Sequence, residues 1–180
     1  MPSIITHAFV GVVATAALKN RETPKSIWIL APLLAVLPDL DVVAFRFGIS
    51  YGHAFGHRGF FHSLFFAFAL SALLVCLFWR PLAKQKVYGL ILLAFIAGSH
   101  GLLDALTNGG LGIALLAPFD ATRYFFPWTP IKVSPISVKA FFGSWGWAVI
   151  KSEFLWVWLP LSALLLISMT AGWLWRRNNN

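Results

Sequence analysis

Apolar residues run along this chain in long blocks separated by short polar stretches. The blocks cover about Ile4–Leu18, Ile27–Phe45, Phe61–Trp79, Val87–Leu106 and Phe154–Trp175. A membrane-spanning helix needs about 20 mostly apolar residues, and the third, fourth and fifth blocks meet that length. The first block is short. The second contains Pro32 and ends in Leu37-Pro38-Asp39-Leu40-Asp41, so these two are expected to tilt or to bury part of their length against neighbours. Leu111–Phe119 is weakly apolar, too short to span, and reads as re-entrant or interfacial. The pattern predicts an all-α fold: a polytopic membrane helix bundle of about five spans.

Composition agrees. Hydrophobic residues make up 59% of the chain and charged ones 11%, against roughly 25% charged in a typical soluble domain. The net charge of +8 could mark a nucleic-acid binder, but its residues sit at the ends of apolar blocks and form no continuous basic stripe. No nucleic acid is expected; the partner is membrane lipid. Lys19, Arg21 and Lys25 follow block one, Arg80, Lys84 and Lys86 follow block three, and Arg176 and Arg177 follow block five. Positive-inside bias puts these three clusters in the cytoplasm, leaving the N-terminus outside and the C-terminus inside. The N-terminus lacks the basic start of a secretory signal and reads as a retained helix. Cys76 stands alone, so neither a disulfide framework nor a thiolate metal site is expected.

The opposite side receives the loop around Arg46–Arg58 and the stretch from Thr107 to Glu153, rich in aromatics such as Tyr124-Phe125-Phe126-Pro127-Trp128. Its Arg123, Lys132, Lys139 and Lys151 count for less in so long a loop. Aromatics of this kind favour the headgroup level, and the stretch reads as an interfacial cap. The chain is a single integral membrane unit over 1–180, with an aromatic interfacial loop over 120–153 and a last span over 154–177.

The few ionisable groups are not scattered. His7 lies in block one, Asp39 and Asp41 end block two, and His53, His57, Arg58 and His62 lead into block three. His100 and Asp104 lie near the end of block four. Every histidine and three of the four aspartates fall in this set. The topology brings imidazoles and carboxylates from four helices to one depth on the non-cytoplasmic side, within residues 1–119. Neutral imidazole and carboxylate are ligands for zinc, manganese or non-haem iron. His100 and Asp104, at i and i+4, share a helix face. Asp39 and Asp41 would diverge on a regular helix, and Pro38 is expected to end the helix in an extended turn from which both reach inward.

Each residue also has a plainer reading. His7 could be a hydrogen-bonded packing residue, His53 a loop histidine and Arg46 a boundary charge. Arg58 could be an interfacial anchor or an anion holder, Asp120 could cap a turn, and Glu153 could mark the entry to the last span. Ionisable groups inside a membrane are functional by default, so Asp39, Asp41, His62, His100 and Asp104 form the firm part of the predicted metal site.

Thr6-His7 with Gly11, Leu37-Pro38-Asp39-Leu40-Asp41, His57-Arg58-Gly59-x-x-His62-Ser63 and His100-x-x-x-Asp104-x-x-Thr107 resemble the YdjM-like family of bacterial inner-membrane metal-dependent hydrolases. The resemblance runs in order over about Met1–Phe119, and Pro118-Phe119 also fits. Phe61 stands where a threonine is expected. The aromatic region after Phe119 matches less clearly and is read as particular to this protein or its subgroup. A more distant similarity is to all-helical zinc phospholipases C. These resemblances imply a bacterial inner-membrane location and a hydrolase of one or two divalent ions, most simply zinc. They add His7 to the ligands Asp39, Asp41, His62, His100 and Asp104.

The leading expectation is therefore hydrolysis of a lipid or lipid-linked (phospho)ester at the outer face. His57 would serve as a ligand or general acid, and Arg58 would steady a phosphate. A scaffold with a structural metal is the first alternative. A metal or proton transporter is the second, disfavoured because the ionisable groups stop at one face.

Overall fold

The computed structural model describes residues 1–21, 23–78 and 83–178. Of the basic residues assigned above to the cytoplasmic side, Arg80 lies outside the described residues, as do the side chains of Lys84 and Arg176.

Helix α1 (Ile4–Leu18) is opened by Ser3, whose hydroxyl accepts from the Thr6 amide. Such a cap supplies a partner for one of the amides left unpaired in a first helical turn. Helix α2 (Ile27–Val36) folds back along α1, with Gly11 set against the backbone of Ala31; a Cβ at Gly11 would lie 2.8 Å from the Ala31 carbonyl oxygen. The chain does not break at Pro38. It tightens into a 3₁₀ helix over Leu37–Phe47 and stops at Gly48, whose φ of 75° lies in the left-handed region. Proline stands at the start of this tighter stretch, where its missing N–H and fixed φ are tolerated. The expected extended turn is thus replaced by a continuous helical run from Ile27 to Phe47.

After a glycine-containing loop and a single 3₁₀ turn at Phe60–His62 come α3 (Leu64–Phe78) and α4 (Ala83–Ala105). The core between the four helices is built from small and branched residues, among them Ala31, Leu34, Ala35, Ala67, Leu93 and Ile96. Residues 106–137 form no helix. They are tied to the end of α4 by the Phe126 amide donating to Ala105, and within the segment Thr107 bridges Ile131 and Ile113 bridges Tyr124. Leu111–Phe119, expected as re-entrant or interfacial, lies in this segment, and the Leu64 and Ala114 amides bond the carbonyls of Leu115 and Arg58.

The short α5 (Val138–Phe141) precedes α6 (Ser144–Glu153), which runs through a π-helical turn at Phe154–Trp158 into α7 (Leu159–Asn178). The last apolar helix therefore starts at Ser144 rather than Phe154. The sequence hid this because Gly146, Lys151, Ser152 and Glu153 dilute the apolar run.

The fold is all-α, and among the described residues isolated bridges are the only β pairing. By length and composition, Ile27–Phe47, Gln85–Ala105 and Ser144–Gly172 can cross a membrane; Ile4–Leu18 and Leu64–Leu77 are apolar but shorter. Their outer faces present Ile29, Leu33, Leu73, Ile91, Leu166 and Ile167, an apolar exterior suited to lipid rather than water.

Candidate metal centre

Where α1 and α3 begin, α2 and α4 end. His7 sits in the second turn of α1, Asp39 and Asp41 in the 3₁₀ extension of α2, His62 in the turn before α3, and His100 and Asp104 near the end of α4. The alternation of helix direction, read from the apolar blocks, is what collects these residues at one end of the bundle.

Asp39, His62, His100 and Asp104 each offer a ligand atom, and these atoms lie within 4.8 Å of one another, all on buried residues. Nε2 of His62 is 3.6 Å from Oδ1 of Asp39 and 3.6 Å from Oδ2 of Asp104, and Nε2 of His100 is 3.4 Å from Oδ1 of Asp39. His7 completes the ring, with Nε2 3.3 Å from Oδ1 of Asp104 and its imidazole stacked on that of His100 at 3.8 Å.

These groups face one another without making hydrogen bonds. Among the described residues, the buried side-chain nitrogens and oxygens lacking a hydrogen-bond partner belong to His7, Asp39, His62, His100 and Asp104, with the Tyr88 hydroxyl as the one exception. Leaving one buried polar group unpaired costs about 1–3 kcal/mol, and more for a charged one. A cluster of such atoms converging on a common point is what a cation's coordination shell looks like from the protein side. The backbone supports that use. The Nδ1 of His100 donates to the carbonyl of Ala35 at 2.7 Å, which fixes the tautomer and leaves the Nε2 lone pair turned inward. The donor set of imidazoles and carboxylates fits a divalent ion such as zinc, manganese or iron.

A second group, Asp41, His57 and His62, adjoins the first and shares His62. In a 3₁₀ helix Asp39 and Asp41 point about 120° apart, so Asp39 faces the ring of donors and Asp41 faces the loop. Asp41 Oδ1 accepts from His57 Nδ1 at 2.6 Å, and its Oδ2 accepts from the Arg58 amide at 3.1 Å and lies 3.1 Å from His62 Nδ1.

Arg58 is fully buried, with a φ of 65°. Its Nε donates to Asp104 Oδ2 at 3.2 Å, one terminal nitrogen to the Gly109 carbonyl at 2.5 Å, and the other to Thr107 Oγ1 at 2.8 Å. Burial lowers its pKa from the ordinary arginine value, and the Asp104 charge opposes that fall. The guanidinium is committed to protein acceptors at all three nitrogens, which differs from the free anion holder expected from sequence. Tyr51 packs edge-on against His57, and burial together with the Asp104 charge pushes its phenol up to about 12. Arg123 binds the loop by donating to the carbonyls of Tyr51, His53 and His57.

Other candidates lie apart. His53 is exposed, with Nδ1 accepting from the Phe55 amide, and Arg46 is exposed. Asp120 caps a surface turn, accepting from the Thr122 amide and the Tyr124 hydroxyl. Glu153, expected as an entry marker, is fully buried and bonded to Ser3 and Thr6. The signal for it was present: an acid within an apolar stretch.

An all-helical chain with membrane-length apolar helices and a buried His/Asp cluster at one end of its bundle is a membrane protein with a candidate metal centre. It belongs to the family described as YdjM inner membrane protein, whose model matches residues 1–178. It is also 41% identical over 177 residues to inner membrane protein YbcI of Escherichia coli strain K12, covering 98% of this chain and 99% of that one. No solved structure matches it. The family match runs through the aromatic region and the last helix, so the reading of residues after Phe119 as particular to this protein or its subgroup is corrected.

Proposed function

We propose that this protein is a multi-pass inner-membrane hydrolase whose metal centre acts on a lipid or lipid-linked ester or phosphoester at the outer face. In this reading five helices cross the bilayer, with the N-terminus outside and the C-terminus in the cytoplasm. The basic residues Lys19, Arg21 and Lys25 lie in the α1–α2 connection, at the end of the bundle away from His7, as the positive-inside rule requires.

The observation that carries the proposal is the convergence of unpaired donor atoms on His7, Asp39, His62, His100 and Asp104. These residues would hold the ion, with zinc the simplest choice and manganese or iron compatible with the same donors. A bound divalent ion supplies Lewis-acid chemistry, polarising a phosphoryl or acyl oxygen and activating water near neutral pH. Asp41 stands behind His62 and orients it, the usual place for a carboxylate behind a metal-binding histidine. The same carboxylate holds His57 by Nδ1, which sets that ring up to move a proton as general acid or base. Arg58 keeps Asp104 in place and offsets part of its charge.

Two features favour hydrolysis over a purely structural metal. The candidate ligands are more numerous than a closed four-coordinate zinc site uses, and they include carboxylates. The Asp41–His57 hydrogen bond also sets an oriented imidazole next to the centre, a group that hydrolysis can use to move a proton and that a structural metal does not require. A lipid-like substrate is favoured because the site lies at the helix ends, where the segment whose Phe126 amide bonds the Ala105 carbonyl exposes Phe125, Phe126 and Trp128, side chains that suit the headgroup level.

The test uses the full chain purified into nanodiscs, with metal content by elemental analysis and release of phosphate or fatty acid from defined lipids. His62→Ala and Asp104→Asn are expected to abolish turnover while the protein still inserts and folds. Loss of the fold together with the metal would favour the scaffold. Zinc or proton flux in proteoliposomes would favour transport.

A further inference from the structure

Glu153 lies outside the donor cluster, on the last helix, yet it is completely buried. Both of its oxygens are engaged by the N-terminal segment. Oε1 accepts from the Ser3 amide, and Oε2 accepts from the Ser3 hydroxyl at 2.6 Å and the Thr6 hydroxyl at 2.7 Å. The Thr6 oxygen accepts in turn from Trp158 Nε1 at 2.7 Å. Glu153 and Trp158 are five residues apart: Glu153 immediately precedes the π-helical turn at Phe154–Trp158, and Trp158 ends it. A π turn repeats at i→i+5, so it stacks these two side chains on one face, and both grip Thr6. A regular α-helix would carry Trp158 further around the axis.

The residue after Thr6 is His7, whose two ring nitrogens lack any hydrogen-bond partner. His100, by contrast, is held by the Ala35 carbonyl. No hydrogen bond fixes the His7 ring; besides its stacking on His100 and the 3.3 Å approach of Nε2 to Asp104, the hold on it comes through the backbone of the first turn of α1.

We propose that Glu153, with Trp158, is a positioning residue for the metal centre: it fixes the first turn of α1 and thereby aims His7 at the ion. The inference rests on His7 being a metal ligand, as proposed above. It assigns the last helix a part in metal binding, although that helix supplies no ligand.

The experiment measures the zinc Kd of the full chain in nanodiscs by competition with a chelator, alone and as a double-mutant cycle with His7→Ala. A positioning role predicts that Glu153→Ala weakens zinc by about tenfold or more, and that it adds nothing in the His7→Ala background, since the two then act through one contact. Glu153→Gln keeps an acceptor in the same place and is expected to retain most of the affinity. The cobalt(II) absorption spectra of Glu153→Ala and His7→Ala should shift in the same sense. Equal loss in both backgrounds, or a Gln variant as weak as Ala, would overturn the proposal. Should Glu153→Ala fail to fold, Thr6→Val removes only the hydroxyl that joins Glu153 to Trp158, and it must show the same dependence on His7. If His7→Ala itself leaves zinc affinity unchanged, His7 is not a ligand, and the underlying assignment fails instead.

Discussion

Removing the guanidinium of Arg58 would leave a buried carboxylate at Asp104 with one fewer counter-charge. Deleting one partner of a buried ion pair costs about 3–5 kcal/mol, and here the Thr107 and Gly109 contacts are lost as well. A bound divalent ion offsets part of the Asp104 charge, so the cost depends on loading. Arg58→Ala is expected to lower the unfolding temperature more in chelator than in excess zinc, measured on the same nanodisc preparation. A drop independent of zinc would detach Arg58 from the centre. At this scale the residues of the cluster were readable from sequence, because histidines and aspartates are rare in so apolar a chain and recur at helix ends. The commitment of Arg58 was not readable, since it depends on a left-handed backbone at Arg58 and on the course of residues 107–110. The partners of Glu153 were equally hidden, being 147 and 150 positions away.

Helix α1 contributes His7 only while it lies tight against α2. Gly11 permits that approach, and a side chain there meets the Ala31 backbone at 2.8 Å, where nothing flexible can give way. Overpacking of this kind costs about 1–3 kcal/mol. Gly11→Val is expected to destabilise the protein by at least that much and to reduce its zinc content. Gly98→Ala in α4 is the control, since its new Cβ meets the end of the Leu64 side chain at 3.4 Å and the Ala67 Cβ at 4.0 Å, both near ordinary contact distance, and should leave both quantities unchanged. The lengths of the apolar blocks located the main helices. They did not reveal the 3₁₀ run through Pro38 or the start at Ser144, because both depend on packing that hydropathy does not register.

For the molecule as a whole, charge and metal give separate tests. With Cys76 replaced by serine, a cysteine at Lys25 should resist a membrane-impermeant maleimide in intact cells, and one at Phe125 should react. The reverse pattern would invert the proposed orientation. Protons compete with a metal for imidazole and carboxylate donors, so zinc binding should weaken as pH falls and recover as it rises; equilibrium dialysis across the pH range reads this directly. The bundle architecture and the end at which the cluster sits were legible from alternating apolar blocks and charged loops. The docking of the aromatic segment onto α4 was not, since it rests on backbone bonds such as that from Phe126 to Ala105.

The candidate donors divide between two helical hairpins, two (His7 and Asp39) on α1–α2 and three (His62, His100 and Asp104) on α3–α4, with Asp41 behind them on the first. This division bears on biogenesis. A hairpin newly delivered to the membrane carries only part of the set and has nothing to close around. On the proposed reading, metal capture would belong to the end of assembly, after the two hairpins have met. An ion bound at that stage would act as a clasp on a finished pair, and half-assembled chains would stay empty.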